Sequence, residues 1–327
     1  MEDKSTLLTR FKRLKGEYLF FASNDSLLAR FSEIIFDGPG KSSLKFNSEP
    51  EEFFCIPDDK LALFVSKEKE ACSGSGTSEM RTLRSSSLLC LACFYDLPNN
   101  PLSIRLNGKD YIFSESFFEI QNTCVNGGKS NVDVVLVGKE SSGKSMVLFL
   151  ESKFAEYLSF GKVQVSNKKE SYQKLFEGEY RNVIKGCNLT LNITEDNDRQ
   201  PVIELLGEHY CTGPKQMICH HKGIINTLNS KSKSFKDPRK NYLRSLMLQS
   251  EILLGEIVFK FPGDTDSIKR GNIQISAFED YSNIYQAVYN GLSGLSPNVT
   301  IIDKLLTYQE VFKDYPLEDK IKSFYRL

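Results

Sequence analysis

The chain has 327 residues, 40% of them hydrophobic and 26% charged, ordinary values for a soluble globular protein and enough for one large domain or two modest ones. Lys plus Arg and Asp plus Glu are equal at 42 each, which excludes a global positive field; any binding to nucleic acid must rest on a local patch. The start, MEDKSTLLTRFKRLKGEYLFF, lacks a signal peptide's apolar core, and runs such as MVLFL and LLCLACF are too short to span a bilayer.

Eight cysteines are scattered through a chain too large to need disulfide staples, which suits a reducing compartment. A cytoplasmic protein with no membrane partner is therefore expected.

Residues 1 to about 70 mix a basic amphipathic start with apolar clusters (YLFF, FSEIIF, EEFFCI, LALFV), and short strands with turns at DGPGKSS and NSEP are expected there. ACSGSGTSE, Ala71 to Glu79, reads as a linker or loop. MRTLRSSSLLCLACFYDL has apolar residues at helical spacing and stops near Pro98. In SIRLNGKDYIF, Asn107-Gly108 between alternating apolar positions is a strong hairpin signal. FFEIQNTCV reads as a strand closed by a turn at Gly127-Gly128.

NVDVVLV and MVLFLESKF are apolar on both faces, as central strands covered on each side should be. Residues 155–200 are polar with weak periodicity. PKQMICHHKGIINTLN reads as a helix with Pro near its start, KSKSFKDPRK as a basic loop, and EILLGEIVFKF as a buried strand. Helices are expected at NIYQAVYNGL and near the end of the chain.

The loop between the two apolar strands, GKESSGKS (Gly138 to Ser145), fits the phosphate-loop pattern G-x-x-x-x-G-K-[ST]. That motif works only if a helix begins at once, so that its N-terminus and the loop amides cradle phosphate. The short apolar run MVLFL followed by ESKFAE gives little support for such a helix. The only candidate for a partner strand ending in an Asp, VTIID, is far downstream. A hairpin accounts for the same residues as a solvated turn.

With the hairpin tip at Ser142, Asp133 faces Glu151, with Cβ atoms roughly 4.5–5.5 Å apart. Alternation puts Lys153 on the same side as Glu151. Two carboxylates and a lysine suit phosphodiester hydrolysis: the carboxylates hold Mg²⁺, the metal lowers the pKa of a bound water, and the lysine stabilises the charge on phosphate. An unpaired carboxylate at the start of an apolar strand is expensive to bury, which argues that Asp133 has a task.

Asp133 with Glu151-Ser152-Lys153 resembles the motif of the PD-(D/E)XK nuclease superfamily, with Val132 in place of the proline of the family name. Within it the chain is similar to bacterial restriction endonucleases over roughly residues 80–226. RSSSLLCLACF, FFEIQ, NVDVVLV, ESKFAE and KQMICH carry that likeness.

The resemblance implies an α/β fold: a restriction-endonuclease-like αβββαβ core, with a mixed central sheet flanked by helices. Residues 1–75 would form an N-terminal extension and 76–327 the nuclease-like domain. It implies Asp133 and Glu151 as metal ligands, with the Ser152 carbonyl as a third, for Mg²⁺ or Mn²⁺. Lys153 would be the catalytic lysine. Glu119 on the preceding strand and Gln216 on the later helix would be additional site residues. The implied substrate is nucleic acid, DNA first. A homodimer is one way to bring two sites to a duplex.

Two further clusters bear on function. HYCTGPKQMICHH gathers His209, Cys211, Cys219, His220 and His221. Imidazole and thiolate suit zinc, but the spacing matches no familiar zinc site. Three consecutive helical residues also point about 100° apart, so the segment reads as a helix with a buried Cys and histidines near the cleft. Cys90 and Cys93, in an apolar helix, read as two buried thiols. In the basic loop, Lys231, Lys233, Lys236, Arg239 and Lys240, with Asn167–Lys169, are candidates for contacts to phosphates. The alternatives to a nuclease are a non-catalytic nucleic-acid-binding or assembly module on the same fold, and a nucleotide hydrolase using Gly138–Ser145.

Overall fold

The computed structural model describes residues 34–36, 44–46, 48–75, 80, 82, 85–158, 163–167, 170–197, 199, 201–207, 212–231, 234–261, 267–270 and 273–327. In chain order the first elements are β1 (Ile34–Phe36), β2 (Leu44–Phe46), α1 (Pro50–Phe53), α2 (Asp58–Ser75), α3 (Ser86–Phe94), β3 (Leu102–Leu106), β4 (Lys109–Val125), β5 (Gly128–Glu140) and β6 (Ser145–Lys153). Next come β7 (Val163–Asn167), α4 (Glu170–Glu177), α5 (Arg181–Gly186), β8 (Thr190–Glu195), β9 (Pro201–Gly207), α6 (Thr212–Leu228), α7 (Pro238–Met247) and β10 (Glu251–Val258). The chain ends with β11 (Ser267–Arg270), β12 (Ile273–Ser276), α8 (Ala277–Leu292), β13 (Thr300–Ile301), β14 (Leu306–Thr307), α9 (Tyr308–Val311) and α10 (Asp319–Tyr325).

The fold is α/β, built on a mixed sheet ordered β13-β10-β6-β5-β4-β3, with β14 also pairing with β10. Strands β3 to β6 form an antiparallel meander, whereas β10 runs parallel to β6. A parallel neighbour requires a crossover, and the segment between β6 and β10 supplies one that includes α6. The central strands are apolar on both faces because both are covered. Val134, Leu136, Leu148 and Leu150 join the core with α2, α3 and the C-terminal helices. Val135, Val137, Val147 and Phe149 join the core with α4, α6 and α8. No helix among the described residues is long and apolar enough to cross a membrane.

The first two hairpin turns of the meander are two residues long. Asn107 (φ 47°) and Gly108 (φ 78°) join β3 to β4, the positive-φ pair that the Asn-Gly signal implies. Val125 pairs with Gly128, so the second turn is Asn126-Gly127, one residue earlier than expected.

Several expectations differ from the structure. LALFV lies in helix α2, not in a strand, and the helix runs into the expected linker as far as Ser75. Its Phe64 and Ala71 pack into the core of the main sheet, so residues 50–75 of the expected extension share that core. The helix at MRTLR… starts only at Ser86, capped by Ser85, whose side chain accepts from Leu88 N. The weakly periodic stretch 155–200 contributes two strands of a separate sheet ordered β7-β9-β8. The end of the basic loop is the start of α7, with Asp237 as N-cap and Pro238 in the first turn.

Candidate active site at the open end of the central hairpin

Residues 128–153 form a hairpin, and the helix that a phosphate loop needs after Ser145 does not form, because Ser145–Lys153 is strand β6. Both glycines of GKESSGKS have other reasons to be there. A Cβ on Gly138 would lie 2.1 Å from the carbonyl oxygen of Ile112, where β4 bulges against β5. Gly143 has φ +90° in the turn, a conformation that favours glycine. Lys144 is exposed and pairs with Glu251 at 3.2 Å.

The β5–β6 register runs from Lys139↔Ser145 to Val134↔Leu150, so one further step brings Asp133 opposite Glu151, as expected. The ladder stops at this step. In its place Asp133 Oδ2 accepts from the Ser152 amide at 2.6 Å, so a side chain replaces the next backbone bond. Ser152 itself faces the other way, with its hydroxyl 2.7 Å from Tyr308 Oη and donating to the Ser86 carbonyl.

Glu151 and Lys153 face α6. Glu151 Oε1 accepts from Lys153 Nζ and from Gln216 Nε2, each at 2.5 Å, and Lys153 Nζ also donates to Gln216 Oε1 at 2.9 Å. Glu151 Oε2 lies 2.7 Å from His220 Nε2, whose ring carries on to Ser130 Oγ through Nδ1 at 2.5 Å. An ionised carboxylate only accepts, so Nε2 is the donor. Gln216 and His220 are four apart on α6, the spacing that stacks two side chains on one helix face. Burial alone would raise the Glu151 carboxyl, but the Lys153 and His220 charges and hydrogen bonds hold it at about 2.

Asp133 behaves oppositely. Burial first, then the negative charges of Glu151 and Glu119, push it well above the usual carboxylate range, with Lys153 opposing. Glu119 sits at the point where the β4–β5 pairing skips a residue, between Phe118↔Val134 and Ile120↔Val132, which puts it across from Asp133. It is buried, with φ +52°, a left-handed conformation that costs a non-glycine residue about 1–2 kcal/mol. Backbone strain of this kind collects at functional sites.

Asp133, Glu119, Glu151, Lys153 and Gln216 therefore meet at one end of the sheet. Two more residues belong with them. Glu256 on β10 is in register with Glu151, is 2% exposed, and accepts from Tyr281 Oη at 2.9 Å. Burial pushes it up to about 7, with Lys153 acting against and Glu151 adding to the rise. Its sequence signal was the one used for Asp133, an acid inside an apolar strand. His220 had been placed only near the cleft; its i+4 relation to Gln216 was the available sign.

The carboxylate oxygens here are hard donors of the kind Mg²⁺ or Mn²⁺ takes, and a divalent cation would relieve the repulsion that, after burial, raises Asp133. Among the described residues no group of three or more His, Cys, Asp or Glu side chains stands at metal-binding spacing. The zinc alternative does not assemble: Cys219 is buried, His220 faces Glu151, and His221 Nδ1 pairs with Tyr180 Oη at 2.8 Å. His209 and Cys211 lie outside the described residues.

Two members of the basic cluster have a different task from the one expected. Beyond Phe113 the outer edge of β4 has no partner from β3, and side chains cover it instead. Glu70 on α2 accepts from Phe118 N, Lys67 donates to Ser116 O, Arg239 to Phe118 O, and Lys240 to Gln121 O. Arg239 also pairs with Asp237 and Glu70, while Lys240 is buried over the Phe235 ring at 4.4 Å. Burial drives the Lys240 ammonium down. Two of the proposed phosphate contacts, Arg239 and Lys240, thus anchor α7 to β4. Lys231 and Lys236 are exposed; Lys233, Lys168 and Lys169 lie outside the described residues.

No protein-family model, no curated protein and no solved structure matches this chain.

Proposed function

We propose that this chain is a metal-dependent nuclease that hydrolyses phosphodiester bonds in DNA, on a restriction-endonuclease-like core. The observation that carries the reading is the convergence of Asp133, Glu151 and Lys153 where the β5–β6 ladder ends, with Glu119 strained beside them. The succession α3, β4, β5, β6, α6, β10, with β10 parallel to β6, supports it as the αβββαβ order that the motif implies.

In this reading Asp133, Glu151 and the Ser152 carbonyl would hold Mg²⁺, which supplies a polarised phosphate and a water acidic enough to attack at neutral pH. Lys153 Nζ, oriented by Glu151 and Gln216, offers its positive charge to the phosphate oxygens as negative charge builds there. Gln216 fixes both partners, donating to Glu151 Oε1 and accepting from Lys153 Nζ. His220, locked by Ser130, keeps Glu151 ionised and oriented. The test is cleavage of supercoiled plasmid and of single-stranded DNA with Mg²⁺ or Mn²⁺ against an EDTA control. Metal-dependent cutting by wild type that Asp133→Ala abolishes supports the reading.

A second reading, a non-catalytic binding or assembly module, draws on one specific observation: both Glu151 oxygens are already engaged by Lys153, Gln216 and His220. If neither metal nor DNA is bound by the wild-type chain, that closed network is structural and the module reading replaces the nuclease.

A further inference from the structure

Two cysteines that the hydrolytic reading leaves unused lie on the same helix–strand interface. Cys219 lies on α6 between Gln216 and His220, the two residues this helix sends to Glu151. Cys124 lies near the end of β4. Both are buried and both are free thiols.

The backbone around them brings helix and strand close. Gly223, one turn beyond Cys219 on the same helix face, lies against Asn122, two residues before Cys124 on the same strand face. A Cβ on Gly223 would stand only 2.7 Å from that of Asn122. Asn226 Nδ2 adds hydrogen bonds to the Thr123 and Cys124 carbonyls at 2.9 and 3.0 Å. Helix and strand are thus pressed together beside the two cysteines.

The surroundings favour reaction at Cys124. Its Sγ is 3.5 Å from the Gly128 carbonyl oxygen and 3.7 Å from Tyr172 Oη. The neighbouring Cys219 thiol, aided by Tyr172 and against burial, lowers the Cys124 thiol to about 6, whereas the Cys219 thiol moves up. A cleft of about 550 Å³ opens onto Cys124, with Lys174, Lys222 and Glu179 on its walls. A small polar oxidant fits such a passage.

We propose that Cys124 and Cys219 form a peroxide-responsive dithiol whose oxidation links β4 to α6 by a reversible disulfide. The Cys124 thiolate attacks one peroxide oxygen, the O–O bond breaks, and the other oxygen leaves as hydroxide and is protonated to water. Cys124 becomes a sulfenic acid. Cys219 sulfur then attacks the Cys124 sulfur, the S–O bond breaks, and the departing hydroxide takes the Cys219 proton as a second water. Two thiols and one hydrogen peroxide give one disulfide and two waters. Closing the bond to about 2.0 Å draws toward β4 the turn of α6 that carries Gln216 and His220. The proposal concerns a covalent bond and stands whether or not the hydrolytic reading holds.

The test uses the full chain under native conditions. Hydrogen peroxide is added, remaining thiols are blocked with N-ethylmaleimide, and the protein is digested without reduction and mapped by mass spectrometry. The expected result is a linked peptide pair containing Cys124 and Cys219, lighter by two hydrogens and separated again by dithiothreitol. In Cys219→Ser, dimedone should trap Cys124 as its sulfenic acid. Tyr172→Phe, which keeps the ring, should slow the linkage severalfold. Recovery of both cysteines as blocked thiols, an unlinked Cys124 sulfinic acid in the wild type, or a link that appears only after denaturation would overturn the proposal. The wild-type map decides the matter even if a variant fails to fold.

Discussion

Replacing Glu151 by Gln tests how much of the site is held together by one buried charge. Glu151 is 1% exposed and accepts from Lys153, Gln216 and His220. Its carboxyl is held at about 2 against an ordinary 4.5. At about 1.4 kcal/mol per pH unit, that displacement is worth about 3 kcal/mol of folding stability at neutral pH. The substitution also leaves Lys153 buried without its counter-charge, and breaking a buried ion pair costs about 3–5 kcal/mol. Relief of the repulsion on Asp133 offsets part of this, so the expected loss at pH 7 is about 3 kcal/mol. Because the folded carboxyl titrates below its unfolded value, this stabilisation is present above about pH 4.5 and lost as pH falls toward about 2. Urea unfolding of wild type and Glu151→Gln at neutral pH and near pH 3 reads both features. The gap should shrink to less than half at about pH 3. Equal stability at neutral pH, or a gap indifferent to pH, would refute the reasoning.

Three other outcomes are expected. Gly138→Ala should destabilise by about 1–3 kcal/mol through its clash with the Ile112 carbonyl, whereas Lys144→Ala, which loses one exposed ion pair, should change stability by less than about 1 kcal/mol and leave any cleavage intact. Parallel denaturation curves check the contrast. Glu119→Gly should raise the thermal midpoint by releasing the φ +52° strain while lowering cleavage, and a variant that loses stability would contradict the strain. Burial depresses His221 to about 4 from 6.5, and its Nε2 has no partner among the described residues. A depressed histidine contributes stability above pH 6.5 that is lost as pH falls through 4, so His221→Phe should flatten the acid limb of the stability–pH curve.

The meander and its register were legible because local chemistry specifies them. Asn107-Gly108 dictates a two-residue turn, and strands apolar on both faces admit few alternatives to a central position. The same logic placed Asp133 against Glu151 and Lys153 beside it. What escaped depends on distant partners. Arg239 and Lys240 read as candidates for phosphate contacts because nothing local announces the β4 carbonyls they cover. LALFV resembled a strand, yet α2 is stabilised by Phe64 and Ala71 in the core and by Lys67 and Glu70 along the β4 edge. The phosphate-loop pattern misled in the opposite way: its letters are all present, but each glycine answers to the hairpin. Glu256 was visible as an acid in an apolar strand, and only the parallel pairing with β6 reveals that it neighbours Glu151.

As proposed, Asp133 and Glu151 hold a cation and Lys153 acts on the phosphate. The most direct measurement is cleavage of plasmid DNA by Lys153→Met at saturating Mn²⁺, with Mn²⁺ binding followed on the same sample. Retained binding and a cleavage rate reduced by about 10²–10³-fold relative to wild type are expected. Wild-type cleavage by Lys153→Met would contradict it.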